Sequence, residues 1–150
     1  MWSLGCIIAE LYNGKPLFPG TDENEMVEFQ YLISGTFPQS MIDKGKKRDR
    51  FFNVRNGYKI IRSKHSRLLN LSKNSINLSQ IVFRHKSSSE MGKLKKLEGE
   101  LSQDEKNMVD FIRRCIEIDP KRRLTCEEAI RHDWFKDLLV QREREISESY

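Results

Sequence analysis

The feature that most constrains the fold is a segment near the amino terminus that is apolar on nearly every face of a helix. Its apolar residues recur at helical spacing and also fill the remaining faces: Leu4, Cys6, Ile7, Ile8, Ala9, Leu11 and Tyr12. The pattern predicts a helix over residues 2–13, which Gly14 ends and Pro16 keeps from resuming. A helix of this kind is stable when other elements cover it. The segment therefore belongs inside a larger helical structure, and without its neighbours we expect it to expose an apolar patch.

Three further segments carry signals for the start of a helix. The signals are Asp22 or Thr21 before an apolar stripe of Met26, Phe29 and Ile33, and two capping boxes, Ser102 with Glu105 and Thr125 with Glu128. They predict helices over residues 22–34, 102–117 and 125–130, and a shorter helix is predicted over residues 39–44. Asp119-Pro120 separates the last two long segments. The predicted fold class is mainly α.

The net charge of +5 conceals a strongly basic middle segment. Residues 41–100 hold sixteen Lys and Arg against five Asp and Glu, while both flanks are mildly acidic. Within it, Asn56-Gly57 predicts a β-hairpin with strands at residues 50–54 and 58–61. Beyond residue 62 the sequence is rich in Ser, Asn and Lys, with one apolar patch at residues 81–83. It predicts a long basic insertion, about residues 41–101, with little regular structure beyond the hairpin.

Two interpretations of this basic insertion stay open. It is either a solvated insertion or a surface for an acidic protein or nucleic acid. Nucleic acid is disfavoured because the insertion has too few aromatic residues for a stacking platform. They are Phe51, Phe52, Tyr58 and Phe83.

No self-sufficient active site is visible in the sequence. The glycines form neither a GxGxxG nor a Walker loop, and no GxSxG motif occurs. Cys126 and His132 lie near each other, but two ligands do not make a metal site, and Cys115 lies on an apolar stripe. We therefore expect no catalytic, cofactor-binding or metal-binding residue in this chain.

Cysteine usage and hydropathy bear on the compartment. Three cysteines without CxxC spacing are typical of a reducing environment. No apolar run approaches the length needed to span a bilayer. The sequence therefore predicts an intracellular protein, cytoplasmic or nuclear, that has no membrane partner.

Arg123 occupies an unusual position, after the helix stop Asp119-Pro120 and before the cap Thr125. An arginine in such a corner either holds a buried carboxylate with two hydrogen bonds or extends into solvent. No convincing carboxylate partner is visible within the 150 residues. Both alternatives stay open at this point.

Several segments together carry a resemblance to a known family. They are MWSLGCIIAEL at residues 1–11, YNGKPLFPG at residues 12–20, DPKRRLT at residues 119–125 and AIRHDWF at residues 129–135. The first is similar to the central helix in the large lobe of eukaryotic protein kinases, and the last two resemble the final helices of that lobe. The second is typical of the branch that holds the cyclin-dependent, MAP and dual-specificity tyrosine-regulated kinases. Residues 43–52 and 56–58 are most similar to the dual-specificity tyrosine-regulated group.

The resemblance implies a fold and a set of structural residues. The fold is the carboxy-terminal part of the kinase large lobe, from the central helix onward, over residues 1–136, followed by a charged tail at residues 137–150. The residues that match the family's structural motif are Trp2, Gly5, Asp119, Pro120 and Arg123. In the family, the arginine matching Arg123 pairs with a glutamate at the end of the activation segment, which lies upstream of residue 1. Asp133 stands where the family usually has proline.

The resemblance also implies an activity for a longer parent protein. That parent would bind ATP and Mg²⁺ and transfer the γ-phosphoryl group to hydroxyls of protein substrates. The glycine-rich loop, the HRD catalytic loop and the DFG motif do not occur in these 150 residues. We therefore expect the chain to be inactive alone, with the missing upstream kinase elements as its natural partners. Met1 matches a methionine common at that family position, as expected if an internal codon has been taken as a start.

The alternative hypothesis belongs to a different class of protein. It is a non-enzymatic interaction module that binds an acidic protein or nucleic acid through the basic insertion. The two hypotheses differ in what they require of the chain: the first needs upstream kinase elements, and the second needs only an accessible basic surface.

Overall fold

Helices dominate the part of the chain that the computed structural model describes, which comprises residues 1–62, 76–83, 101–138, 140 and 141. The α-helices are α1 (Trp2–Asn13), α2 (Glu23–Ser34), α3 (Gln39–Asp43), α4 (Arg48–Phe51), α5 (Leu78–Val82), α6 (Gln103–Cys115) and α7 (Cys126–Ile130). Two short strands, β1 (Phe52–Asn53) and β2 (Lys59–Ile60), form an antiparallel ribbon, and 3₁₀-helices cover Val54–Asn56 and Asp133–Phe135. The mainly α fold class is confirmed.

Helix α1 has the predicted bounds. Gly14 adopts the left-handed conformation, with φ of 72°, and its N–H donates to the carbonyl of Glu10 at 2.7 Å. This is the helix end that glycine favours because it has no Cβ. One face of α1, with Gly5 and Ala9, is buried against α6 and α5. The opposite face carries exposed apolar side chains, among them Leu4, Ile7 and Leu11.

Helix α2 is capped by Asp22 rather than Thr21. The Asp22 carboxylate accepts a hydrogen bond from the N–H of Glu25 at 2.9 Å, and the Glu25 carboxylate accepts from the N–H and hydroxyl of Thr21. The buried face of α2 runs through Phe29 and Leu32. All three members of the predicted stripe contact the core: Phe29 is buried, and Met26 and Ile33 are half-buried and pack against it.

The β-ribbon is smaller than the predicted hairpin. Phe52 pairs with Ile60 and Asn53 with Lys59, and five residues separate the two strands. The physical reason lies in Asn53, whose side chain accepts a hydrogen bond from the N–H of Asn56 at 3.1 Å and starts a 3₁₀ turn. The segment before β1 is helix α4, not strand.

Helix α5 is the regular structure described within the segment after residue 62, where the sequence predicts little of it. Asn77 caps it by accepting from the N–H of Ser79 at 2.9 Å, and Leu78, Val82 and Phe83 are buried. Its side chains pack against α1 and α6, where Phe83 meets Tyr12 edge to face at 5.1 Å. The rest of that expectation concerns residues 63–75 and 84–100, which lie outside the described residues.

Helix α6 packs against α1 and forms the centre of the core. Its predicted capping box, Ser102 with Glu105, is confirmed, but the helix ends at Cys115, two residues before the predicted end. The core around it is built from buried apolar residues of five segments: Ala9, Leu17, Phe29, Leu32, Leu78, Val82, Phe83, Met108, Val109, Ile112 and Ile116. The burial of these side chains is the main stabilising contribution to the fold.

A second, aromatic cluster joins α6 to the end of the chain. Thr125 and Glu128 form the predicted capping box of α7. Phe111 then contacts the rings of His132, Trp134 and Phe135, with centroids 5.1–5.3 Å apart. The predicted charged tail lies mostly outside the described residues. Among those described, no helix combines the length and hydropathy that crossing a bilayer requires.

Candidate functional site

The Arg123 corner is the most constrained polar feature that the sequence indicated. The half-buried Arg123 donates from Nε to the carbonyl of Glu117 at 2.8 Å and from Nη2 to the carbonyl of Ile118 at 3.1 Å. Its guanidinium carbon lies 5.1 Å from the centroid of the Trp2 ring, within cation–π range. The side chain therefore joins the turn that follows α6 to the amino end of α1.

Asp119 and Pro120 place Arg123 in this position. The backbone carbonyl of Asp119 accepts from the N–H groups of Arg122 and Arg123, and its carboxylate accepts from the N–H of Lys121 at 3.0 Å. Pro120 fixes its own φ and cannot continue a helix. The resulting turn reverses the chain, so that residue 123 returns to the carbonyls of Glu117 and Ile118, which follow the end of α6.

The structure brings the five motif residues together in two groups. Trp2, Asp119, Pro120 and Arg123 form the corner, and Trp2 also stacks on Phe18 at 5.4 Å. Gly5 lies at the closest approach of α1 to α6, where a Cβ would stand 2.6 Å from the Cβ of Cys115. Only glycine allows the two helices to approach this closely.

Neither open alternative for Arg123 describes it fully. It is not extended into solvent, and within the described residues it makes no ion pair with a carboxylate. Sequence reasoning missed the two carbonyl acceptors. The available signal was that carbonyls in a turn after a helix often have no backbone donor, and that a nearby arginine can donate to two of them. The Nη1 group makes no hydrogen bond within the part of the chain described.

The structure does not bring Cys126 and His132 together. The exposed Cys126 lies 3.8 Å from the sulfur of Met1, whereas the buried His132 contacts Asp110, with Nε2 and Oδ2 separated by 3.1 Å. The Nδ1 atom of His132 accepts from the N–H of Trp134, so the ring holds the turn after α7. Among the described residues, no three His, Cys, Asp or Glu side chains converge where a metal ion could bind.

The outer face of α1 is an exposed apolar surface. Its side chains Leu4, Ile7 and Leu11 are 41%, 51% and 80% exposed. Next to it lies an apolar cavity of about 430 Å³, lined among others by Met1, Leu4, Ala129, Ile130, Phe135 and Leu138. A contiguous apolar surface of this kind marks a place where another element packs. We name Leu4, Ile7 and Leu11 the outer face of α1.

The basic insertion contacts the acidic start of α2. Lys47 Nζ and Arg50 Nη1 lie 2.7 Å and 2.6 Å from the two carboxylate oxygens of Glu23. The hydrogen bond from Lys47 and its charge, with that of Arg50, lower the pKa of Glu23. Sequence reasoning missed this contact, because an exposed cation carries no pattern that identifies its partner.

A second polar contact orders the same segment. The hydroxyl of Tyr58 donates to the carboxylate of Asp43 at 3.0 Å, and this raises the pKa of Tyr58. The backbone of Tyr58 has φ of 58°, which is rare for a residue other than glycine. The hydrogen bond therefore links the end of α3 to the loop between β1 and β2.

Comparison with known proteins identifies the class to which this arrangement belongs. The profile of the protein kinase domain matches residues 1–135. The chain belongs to the protein kinase family. The Arg123 corner, the close approach at Gly5 and the order of the helices lie inside the matched region.

Within that family the chain is similar to the dual specificity tyrosine-phosphorylation-regulated kinases. It is 33% identical to kinase 2 of this name from Drosophila melanogaster over 144 residues, 96% of this chain and 17% of the relative. It is 33% identical to the mbk-2 kinase of Caenorhabditis elegans over 156 residues, 99% of this chain and 18% of the relative. It is 31% identical to human kinase 4 over 134 residues, 89% of this chain and 22% of the relative. The chain thus spans about a fifth of the length of these curated relatives.

Proposed function

We propose that this chain is the carboxy-terminal part of the large lobe of a dual-specificity or Ser/Thr protein kinase. The parent transfers the γ-phosphoryl group of ATP to hydroxyls of protein substrates, and its ATP and Mg²⁺ sites are formed by elements upstream of residue 1. The observation that carries the proposal is the outer face of α1, which stays exposed in a chain that matches the protein kinase domain. Upstream elements of the lobe cover this face in the parent.

The chain by itself does not catalyse the reaction. Phosphoryl transfer depends on positioning and on electrostatic stabilisation of the transferred group, by a glycine-rich loop, a lysine, a catalytic aspartate and Mg²⁺ ligands. The motifs that supply them do not occur in these 150 residues. What the chain supplies is a scaffold, in which the Arg123 corner and Gly5 hold α1 against α6.

Arg123 has a second role in the parent. Its Nη1 group makes no hydrogen bond among the described residues, and the guanidinium is already oriented by two carbonyls and the Trp2 ring. A preorganised guanidinium of this kind binds a carboxylate with little further loss of side-chain entropy. We assign it to the glutamate that ends the activation segment in the family.

A chimera tests the proposal. Residues 1–135 replace the matching segment of the Drosophila relative, and phosphate transfer to a protein substrate is measured with Mg²⁺ and ATP. We expect the isolated chain to be inactive and the chimera to be active. Arg123→Ala should reduce the activity of the chimera, whereas Arg122→Ala, an exposed neighbour, should not. A folded but inactive chimera, or phosphate transfer by the isolated chain that is lost on mutation of one of its own residues, would contradict the proposal.

The compartment is also part of the proposal. We place the chain inside the cell, in the cytoplasm or nucleus, on the basis of three free cysteines, of which Cys126 is exposed. The test is the distribution of a fluorescent fusion between cytoplasm, nucleus and secreted medium. Secretion of the fusion would contradict an intracellular location.

The alternative, a binding module built on the basic insertion, has one structural observation in its favour. Part of the insertion presents exposed cations that have no ion-pair partner among the described residues. This surface is independent of phosphoryl transfer, and its partner chemistry is derived below.

A further inference from the structure

The surface around α3, α4 and the β-ribbon carries more cations than it uses for its own contacts. Lys47 and Arg50 pair with Glu23, and Arg48 lies 3.9 Å from Asp43. Four other cations make no ion pair within the described residues and are all exposed. We name them the basic face: Lys44, Lys46, Arg55 and Lys59.

Two contacts hold the basic face together. The Tyr58–Asp43 hydrogen bond joins the loop between β1 and β2 to the end of α3. It therefore places the turn with Lys44 and Lys46 beside the loop and strand with Arg55 and Lys59. Like charges placed on adjacent loops repel each other, and a bound anionic partner removes that repulsion.

An apolar groove lies beside the same segment. It has a volume of about 420 Å³ and is lined by Gly20, Thr21, Asp22, Glu23, Met26, Val27 and Phe51. Glu23 lies in the wall of the groove, and its carboxylate binds Lys47 and Arg50 at the edge of the groove. Because Lys46 precedes Lys47, the chain leads directly from the groove to Lys46. We name this the α2 groove. The groove has an apolar lining from Met26, Val27 and Phe51, and its nearest cations are the two that pair with Glu23.

The chemistry of the α2 groove and the basic face indicates which class of partner binds there. A nucleic acid offers a continuous row of phosphates but no aliphatic side chain to fill the apolar part of the groove, formed by Met26, Val27 and Phe51. A peptide can place an apolar side chain in the α2 groove and its carboxylates on the basic face. We propose that the α2 groove and the basic face bind an acidic segment of a partner protein that carries an apolar residue among its carboxylates.

This inference does not depend on catalysis by the parent kinase. Binding is measured on the 150-residue chain by fluorescence anisotropy, with a short fluorescein-labelled peptide that alternates Glu with Leu. A peptide of Glu and Ser of the same charge tests the groove, and a single-stranded oligonucleotide of the same charge tests nucleic acid. Each titration is repeated at low and physiological salt, because exposed charge pairs weaken as salt rises.

Variants with matched controls assign the two parts of the surface. Lys44→Glu with Lys46→Glu should weaken binding of the Glu–Leu peptide about tenfold, since it reverses two of its contacts. The control, Lys106→Glu with Lys121→Glu, changes the net charge by the same amount at exposed cations elsewhere and should have little effect. Val27→Ser tests the groove wall, with the exposed Val140→Ser as its control.

The outcomes separate the hypotheses. Preferential binding of the Glu–Leu peptide, lost in Lys44→Glu with Lys46→Glu but not in its control, supports the proposal. Equal binding of the Glu–Ser peptide, tighter binding of the oligonucleotide, or no binding at low salt overturns it. If circular dichroism shows that Val27→Ser does not fold, the lysine variants still test the proposal. The chimera assay tests the kinase proposal separately, so the failure of either proposal can be distinguished from the failure of the other.

Discussion

Arg123 and Trp2 connect the two ends of the matched kinase segment. The guanidinium lies 5.1 Å from the indole centroid while it donates to the carbonyls of Glu117 and Ile118. One side chain thus donates to two carbonyls in the turn after α6 and contacts the first residue of α1. Arg123 and Trp2 are far apart in sequence, and their contact depends on the turn at Asp119-Pro120 that positions Arg123.

We expect Arg123→Ala to lower the free energy of unfolding by about 2 kcal/mol, because two carbonyls lose a charged donor. Arg123→Lys should recover only part of this, since lysine lacks the planar fork that reaches both acceptors. Urea unfolding measures the change. Arg122→Ala, whose side chain is exposed, should change stability by less than about 0.5 kcal/mol. Equal effects at the two positions would contradict the assigned role of Arg123.

The pairing of Arg123 with Trp2 can be measured directly. A double-mutant cycle between Arg123→Ala and Trp2→Phe should give a coupling free energy of about 0.5–1 kcal/mol. A coupling near zero would show that the ring contact adds nothing to the two hydrogen bonds.

Gly5→Ala should destabilise the chain by about 1–3 kcal/mol, the cost of overpacking a close contact. The added methyl would stand 2.6 Å from the Cβ of Cys115, which cannot move without displacing α6. Unfolding by urea or heat measures the effect. Glu10→Ala, an exposed position on the same helix, is the control and should be neutral or slightly stabilising. A stable Gly5→Ala variant would contradict the observed helix spacing.

The ion pairs of Glu23 predict a pH dependence. Lys47 first, by hydrogen bond and charge, and then Arg50 lower the pKa of Glu23 below its usual value of 4.5. A carboxyl group with a lowered folded-state pKa stabilises the fold above its unfolded pKa, and this contribution is lost as the pH falls through the folded-state pKa. The protection factors of the α4 amides, which correct for the intrinsic pH dependence of exchange, should therefore fall below pH 4.5.

Glu23→Gln should show fast exchange at α4 already at neutral pH, because the amide cannot hold both cations. Glu127→Gln, an exposed glutamate without an ion pair among the described residues, should leave exchange at α4 unchanged. Protection of α4 that is the same in Glu23→Gln and the unmodified chain would contradict the structural role of the pair.

The three cysteines should react with iodoacetamide in a fixed order. Cys126 is exposed, while burial raises the pKa of Cys6 and raises that of Cys115 to about 11. The reactive thiolate is therefore disfavoured at Cys115 and, less strongly, at Cys6. Mass spectrometry at pH 8 should show Cys126 modified first and Cys115 last. In urea the three should react at similar rates, and early modification of Cys115 in the folded chain would contradict its burial.

The outer face of α1 should cause self-association of the isolated chain. Exposed apolar surface of this kind drives association when its natural cover is missing. Ile7→Glu with Leu11→Glu should shift the chain towards monomer in analytical ultracentrifugation, with little loss of stability because both side chains are exposed. Ile61→Glu, an exposed apolar position elsewhere, should not. An unmodified chain that is monomeric at high concentration would contradict the prediction.

The helices were predictable where a local signal defined them. Gly14 ends α1, and the capping boxes at Ser102 and Thr125 begin α6 and α7, because caps depend on residues three positions apart. Helix α5 was not predictable in this way. Its burial depends on Leu78, Val82 and Phe83 reaching α1 and α6, which are distant in sequence.

The candidate site, like the helices, was predictable from the sequence only in part. The sequence singled out Trp2, Gly5, Asp119, Pro120 and Arg123, and placed the helix stop before Arg123. It did not show that Arg123 binds two carbonyls, nor that Lys47 and Arg50 share one carboxylate. Each of these contacts forms because separate elements pack together. Such packing leaves no periodic pattern in the sequence from which the contact could be predicted.

By itself, the sequence determined the mainly α class, the starts of the capped helices, the basic composition of residues 41–100 and the protein kinase resemblance, because these depend on composition, short-range spacing and motifs. Only the tertiary structure decided which face of α1 is covered, where Arg123 donates and that Lys47 and Arg50 pair with Glu23. Those outcomes depend on packing between segments far apart in sequence, where steric fit and desolvation, rather than local propensity, set the free energy.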